Sequence, residues 1–301
     1  MEWNDLTRLD SVILETKALG ACVEEIGISA EGRTLYGITV GEQTDVPTVV
    51  IVAGFHADEV VGPLAAMSVL QSLLKQPVSH IRLRVVPVAD PDFLNQNASK
   101  LPTAVTLRDL LNLNHCRDLE GSFTADLYPE CIAIRRWIQG FHRVDAYFSL
   151  HSAGLISPGL FFYIGDGANP GCVEQVVTSV STAVSDYIPL LSHDPTGLSQ
   201  TALSPGFFTL TIADIQVSPG SSLSFISHHF QPQFVGVSEM PLAVCPDLAN
   251  ASLAEIDQYN RRFKQTGEST CPFQEISLES QLSILKTWMM SVIRYVTAEE
   301  R

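Results

Sequence analysis

The chain has 301 residues and carries 18 Lys and Arg against 33 Asp and Glu, a net charge of −15 with histidine neutral. Only 17% of it is charged and 46% is apolar, where an average domain is about 25% charged, which excludes disorder as its main state and leaves a sizeable core. With no basic cluster beyond the pairs Arg135-Arg136 and Arg261-Arg262, nucleic acid and anionic membranes are excluded as expected partners, because phosphate affinity comes from clustered Lys and Arg.

In chain order, residues 7–19 read as a first helix, and Ile28 to Val40 as two short strands hinged at Glu31-Gly32. Three strongly apolar strands follow, Thr48 to Gly54, Ile81 to Val88 and Asp145 to Leu150. Their hydrophobicity is continuous rather than alternating, which predicts a central sheet covered on both faces. Between the first two, Val60, Leu64, Met67, Leu70 and Leu74 recur at steps of three and four, the spacing of a helix. Ile132 to Phe141 reads as another helix, Gly159 to Ile164 and Phe234 to Val237 as strands, and Leu278 to Val296 as a closing amphipathic helix. His228-His229 reads as part of a strand, where neighbours point to opposite faces. The expected fold is α/β, a single domain over residues 1–301 with a mixed central β-sheet flanked by helices. No apolar stretch reaches the roughly 18 residues of a membrane span, and Met1 to Asp5 lacks the basic and apolar pattern of a targeting segment. The cytoplasm is the expected compartment. Six scattered cysteines without a Cys-x-x-Cys pair are expected to be free thiols, mostly buried.

Ligand sites in open α/β sheets gather at the carboxyl ends of strands, and three strand ends carry polar residues of interest. In Gly54-Phe55-His56-Ala57-Asp58-Glu59 an imidazole and a carboxylate sit three residues apart, close enough to face one cation. Alone this spacing is weak, since 8 His and 33 carboxylates in 301 residues give roughly one such pair by chance. His151 stands at the end of a second apolar strand. Two histidines and one carboxylate that leave a fourth position open form the His₂Glu set of catalytic zinc. Glu239 interrupts the third strand, where a charge is costly unless it faces a cation, a cavity or water; beside zinc it would be the general base. A cysteine nucleophile at Cys116, a serine hydrolase elbow and a phosphate loop find no such support in the residue pattern.

The order His-x-x-Glu after a strand, a strand ending in His-Ser, then a strand carrying Glu resembles the zinc carboxypeptidase family and its relatives that deacylate amino acids. Glu31-Gly32-Arg33 resembles the early hairpin of that family, and Pro87-Val88-Ala89-Asp90-Pro91-Asp92 resembles its Pro-x-x-Asn-Pro-Asp-Gly strand end. Asn112-Leu113-Asn114-His115 falls where the family carries Asp-x-Asn-Arg. The resemblance implies one Zn²⁺ per chain on His56, Glu59 and His151, with Glu239 as the catalytic carboxylate. It also implies a substrate-binding role for Asn114 and for His115, which stands at the position of the Arg that grips a terminal carboxylate. A histidine cannot form the bidentate fork of a guanidinium, so Arg117 and Arg108 are the candidates to supply it. No tyrosine lies between Tyr187 and Tyr259, where the family places a substrate-binding one. The expected activity is hydrolysis of an amide bond in a small peptide by zinc-activated water. The alternatives are an N-acyl amino acid deacylase on the same fold, acting on an acylated amino acid, and a catalytically silent metal-binding protein.

Overall fold

The structure is a computed structural model that describes residues 1–41, 45–78, 80–114, 117–152, 156–184, 188–199, 201–211 and 220–298. Helix α1 (Leu9–Glu15) precedes a hairpin of β1 (Cys22–Ile28) and β2 (Thr34–Val40), then β3 (Thr48–Ala53), α2 (Val61–Lys75) and β4 (Arg82–Val86). Three helices, α3 (Pro91–Ala98), α4 (Leu107–Leu111) and α5 (Pro129–Gln139), lead to β5 (Ala146–His151). Next come β6 (Ile156–Ser157), β7 (Phe161–Gly165), α6 (Pro170–Ala183), β8 (Ala202–Ser204), β9 (Phe207–Leu210), α7 (Ser222–Phe230) and β10 (Phe234–Glu239). The chain continues through β11 (Ala243–Val244), α8 (Leu253–Thr266), β12 (Gln274–Glu275) and α9 (Leu278–Ala298).

Nine strands form one sheet in the order β1-β2-β4-β3-β5-β10-β7-β9-β8, and β12-β11-β6 form a second, small one. The four middle strands β4, β3, β5 and β10 run parallel, while β2 and β7 flank them antiparallel. This is the mixed α/β sheet that the apolar runs predict. In β3 the side chains of Val49, Ile51 and Ala53 join the core under α2 and α9, and those of Val50 and Val52 join the core under α5 and α7. A strand with two buried faces has no room for alternation, which is why its sequence reads as one apolar run. Trp288 of α9 anchors the first core, its ring centroid 4.9 Å from those of both Phe148 and Phe162.

Local differences from the expected elements have local causes. The hairpin turns between Ser29 and Arg33, close to the expected hinge, but its first strand starts at Cys22. As the edge of the sheet, β1 is largely exposed, so it carries no apolar run to read. Asp90 accepts the backbone N–H of Phe93 at 3.2 Å and caps α3 with Pro91 in its first turn, so the strand end at Pro87 continues into a helix. His228-His229 lie in helix α7 rather than in a strand, because Ser221 accepts the N–H of Ser224 and starts a helix there. Cys131, Cys172 and Cys245 are buried free thiols, and Cys22 is exposed. Among the described residues no helix is long and apolar enough to cross a membrane.

Candidate metal centre and its cavity

Strand order reverses beside β3: α2 carries the chain to β4 on one side, whereas β5 lies on the other. Such a switch point opens a crevice at the carboxyl ends of the strands. Gly54, at φ +71°, turns the chain out of β3, a conformation that costs glycine little, and delivers His56 and Glu59 to the crevice. At Gly62 a Cβ would come within 2.7 Å of the Leu150 carbonyl oxygen, so only glycine lets the first turn of α2 approach β5 this closely. His151 ends β5, and Glu239 ends β10 as its register neighbour.

The ligand-type atoms of His56, Glu59 and His151 all lie within 4.8 Å of one another. The Nδ1 atom of His56 is 3.0 Å from Glu59 Oε1, and Nδ1 of His151 is 2.8 Å from Glu59 Oε2. Behind each ring stands a further carboxylate. Asp118 Oδ1 is 3.1 Å from Nε2 of His56. Ser149 Oγ is 2.9 Å from Nε2 of His151 and donates in turn to Glu120 Oε2 at 3.3 Å. Glu120 is itself held by the backbone N–H and hydroxyl of Ser222, both at 2.8 Å, and Tyr147 donates to the same hydroxyl. A carboxylate can only accept, so without a metal both Nδ1 atoms donate to Glu59; with a cation in their place, the Nε2 atoms would keep their protons toward this network and the Nδ1 atoms would turn to the cation. Two imidazole nitrogens and one carboxylate, with outer partners that fix the ring tautomers, suit zinc and leave room for a further ligand.

Electrostatics agree with that donor set. Burial opposes a charged His56, yet the hydrogen bonds to Asp118 and Glu59 and the charge of Glu59 lift its pKa to about 10. Burial likewise opposes a charged Glu59, but the charge of His151 and the bonds from both histidines bring it down to about 2. His151 is pushed upward against its burial, by Glu59 first. Two imidazoles thus favour positive charge beside one carboxylate, the charge that a divalent ion would supply there. Glu239 moves the other way: burial, with the nearby charge of Glu59, raises it to about 8 although His151 pulls it down.

A cavity of about 320 Å³ opens beside the two histidines. Glu120 and Glu239 reach it, and the rest of its wall is mainly Leu198, Leu210, Leu223, Val237 and Tyr163. The Tyr163 hydroxyl donates to Asp194 at 2.7 Å and lies 2.5 Å from the Thr196 hydroxyl.

Of the expected substrate-binding residues, Arg117, Arg108 and Asn114 are not gathered there. Arg117 binds Asp90, Asp92 and Glu130 in a buried cluster, with its NH2 atom 2.7 Å from both Asp90 and Glu130, so its fork is already engaged. Arg108 donates to the carbonyls of Lys264 and Gln265, which ties α4 to the end of α8. Asn114 exchanges bonds with Asn97 and donates to the Asn112 carbonyl, and Asn112 is exposed at the end of α4. His115 lies outside the described residues. Behind His56 stands Asp118, in the segment Asp118-Leu119-Glu120-Gly121. Leu119 is fully buried and the carboxylates on either side of it turn to the site. That pattern, an apolar residue between two acids, is the sequence signal that marks this segment.

Residues 18–92, which include His56 and Glu59, match the model of the zinc carboxypeptidase family. No curated protein matches the chain in sequence. Solved structures match it over nearly its whole length. A metallo-carboxypeptidase from Burkholderia cenocepacia has a TM-score of 0.61 at 16% identity, over 98% of this chain and 69% of its own. A metallo-carboxypeptidase from Pseudomonas aeruginosa, in complex with (2-guanidinoethylmercapto)succinic acid, has a TM-score of 0.58 at 16% identity, over 97% and 69%. The carboxypeptidase A of Helicoverpa armigera has a TM-score of 0.56 at 15% identity, over 95% and 71%. At such identities the likeness is one of fold, and the fold is that of the carboxypeptidases. The family match covers the segment that carries His56 and Glu59, and these two with His151 could hold a metal ion.

Proposed function

We propose that this chain is a zinc-dependent hydrolase that cleaves an amide bond of a small peptide, with His56, Glu59 and His151 as the metal ligands and Glu239 as general base. The observation that carries the reading is the convergence of both histidine Nδ1 atoms on Glu59 beside the end of β10. Bound zinc would supply Lewis acidity, polarising the scissile carbonyl and acidifying a water. Glu239, at the end of β10 beside His151, would take a proton from that water and return it to the leaving amine, the two steps of one carboxylate acting as base and then acid. Asp118, and Glu120 through Ser149, keep the Nδ1 atoms turned to the metal.

Metal analysis together with a peptide panel tests this. One zinc per chain, affinity reduced at least tenfold in His151→Ala, and release of amino groups from peptides are expected. Release of acyl groups from N-acyl amino acids instead would favour the deacylase reading, and zinc binding without turnover on either panel would favour a silent scaffold. A protein that takes up no zinc contradicts the proposal.

A further inference from the structure

Apart from His56 and His151, which flank the metal position, the wall of the cavity carries no cationic side chain among the described residues. The sequence explains why: between Val144 and Asn260, the stretch that supplies β5, β7, β9, α7 and β10, there are ten Asp and Glu and no Lys or Arg. That absence extends to the residues in this stretch outside the described set. From the opposite side the chain contributes Glu120, and Arg117 is engaged in its own cluster.

Among the described residues neutral donors are equally scarce. The hydroxyl of Tyr163 is engaged with Asp194 and Thr196. That of Ser221 accepts from the backbone of Ser224 and donates to its hydroxyl. Glu120 accepts from Ser149 and from Ser222 twice over, so its oxygens are satisfied and offer little to a ligand ammonium. What the cavity presents is four aliphatic side chains and one aromatic ring. A carboxylate buried there would lose its hydration without gaining a partner, and would face two further carboxylates.

We infer that the cavity takes an uncharged, apolar end of an amide substrate and turns away one that ends in a free carboxylate. This rests on the zinc hydrolase reading above and names the substrate class of that same site. A volume of about 320 Å³ is at the small end of ligand pockets and suits a single side chain the size of a benzyl group.

The test uses a matched pair, 2-benzyl-3-sulfanylpropanoate and its primary amide, titrated by calorimetry into the zinc-loaded protein. Both carry the same thiol for zinc and the same benzyl group, and they differ only in carboxylate against carboxamide. The amide is expected to bind at least tenfold tighter. A Leu210→Arg variant, with a cation introduced at a half-buried wall position, is expected to move the ratio at least tenfold toward the carboxylate; should that variant fail to fold, the wild-type ratio decides alone. Equal or tighter binding of the carboxylate by the wild type, or no binding of either compound to protein that holds zinc, overturns the inference while leaving the metal site standing. Zinc content of the same samples is measured first, and a protein without zinc overturns the hydrolase reading and this inference together.

Discussion

Asp118 and Glu59 engage the two nitrogens of one imidazole, Oδ1 of Asp118 lying 3.1 Å from Nε2 of His56 and Oε1 of Glu59 lying 3.0 Å from Nδ1. Asp118 therefore sets which nitrogen faces the metal position and makes that nitrogen more basic. Outer carboxylates of this kind are worth about 10- to 100-fold in metal affinity. Asp118→Asn is expected to weaken zinc binding by about 10-fold, measured by competition with a chromogenic chelator, because the amide still accepts a hydrogen bond but brings no charge. Unchanged affinity would remove Asp118 from the site.

Zinc binding and pH are linked through the same groups. In zinc-free protein His56 is raised from 6.5 to about 10 and Glu239 from 4.5 to about 8. Over those windows the folded state holds more protons than the unfolded one, so stability falls as pH rises from about 5 through about 10. Glu59, lowered from 4.5 to about 2, has the opposite sign; its contribution is present above 4.5 and is lost as pH falls toward 2. Zinc must displace the Nδ1 protons, so its affinity rises with pH. The thermal shift produced by excess zinc is expected to be larger at about pH 8 than at about pH 6, followed by calorimetry. A shift that shrinks as pH rises would contradict this ligand set.

Arg117 is predicted to be a residue of stability rather than of substrate recognition. It pairs with Asp90, Asp92 and Glu130, all at 1% exposure or less, and its removal leaves buried carboxylates without their nearest cation. Breaking a buried pair in this way costs about 3–5 kcal/mol. Arg117→Ala should lose about that much in urea unfolding, and Arg117→Lys less. A variant as stable as wild type but weakened in substrate binding would return Arg117 to the cleft.

The contact of α2 with β5 offers a structural test of the same crevice. In Gly62→Ala the new methyl meets the Leu150 carbonyl oxygen at 2.7 Å, and backbone must move to relieve it. A stability loss of about 1–3 kcal/mol is expected, with weaker zinc binding, since the displaced helix start lies three residues after Glu59 and the strand it meets ends in His151. Retained zinc affinity with full stability would show that the first turn of α2 can shift without consequence.

How far the chain could be read in advance varied with burial. Strands β3 and β5 and their terminal His56 and His151 were legible because strands buried on both faces leave long apolar runs, and polar residues at their ends stand out. The edge strand β1 and the helix at His228-His229 were not: the first has no buried face to mark it, and the second starts from a serine cap inside a stretch of serines that reads equally well as a turn. The outer partner Asp118 is not legible for a different reason: nothing local in Asp118-Leu119-Glu120-Gly121 distinguishes a carboxylate aimed at His56 from an exposed one. Arg117 and Arg108 were candidates because arginines are scarce in an acidic chain, but scarcity does not tell a carboxylate ligand from the centre of a buried ion cluster.

The proposed chemistry is tested most directly by Glu239→Gln, a change that keeps the shape of the residue at the end of β10 and removes its ability to take a proton. Rates of peptide amide hydrolysis by the zinc-loaded variant and wild type, at equal zinc content, are the measurement. A loss of about 10²–10⁴-fold in kcat, the range of general base catalysis, with zinc still bound is predicted. Hydrolysis at the wild-type rate would contradict the assignment of Glu239 as the base.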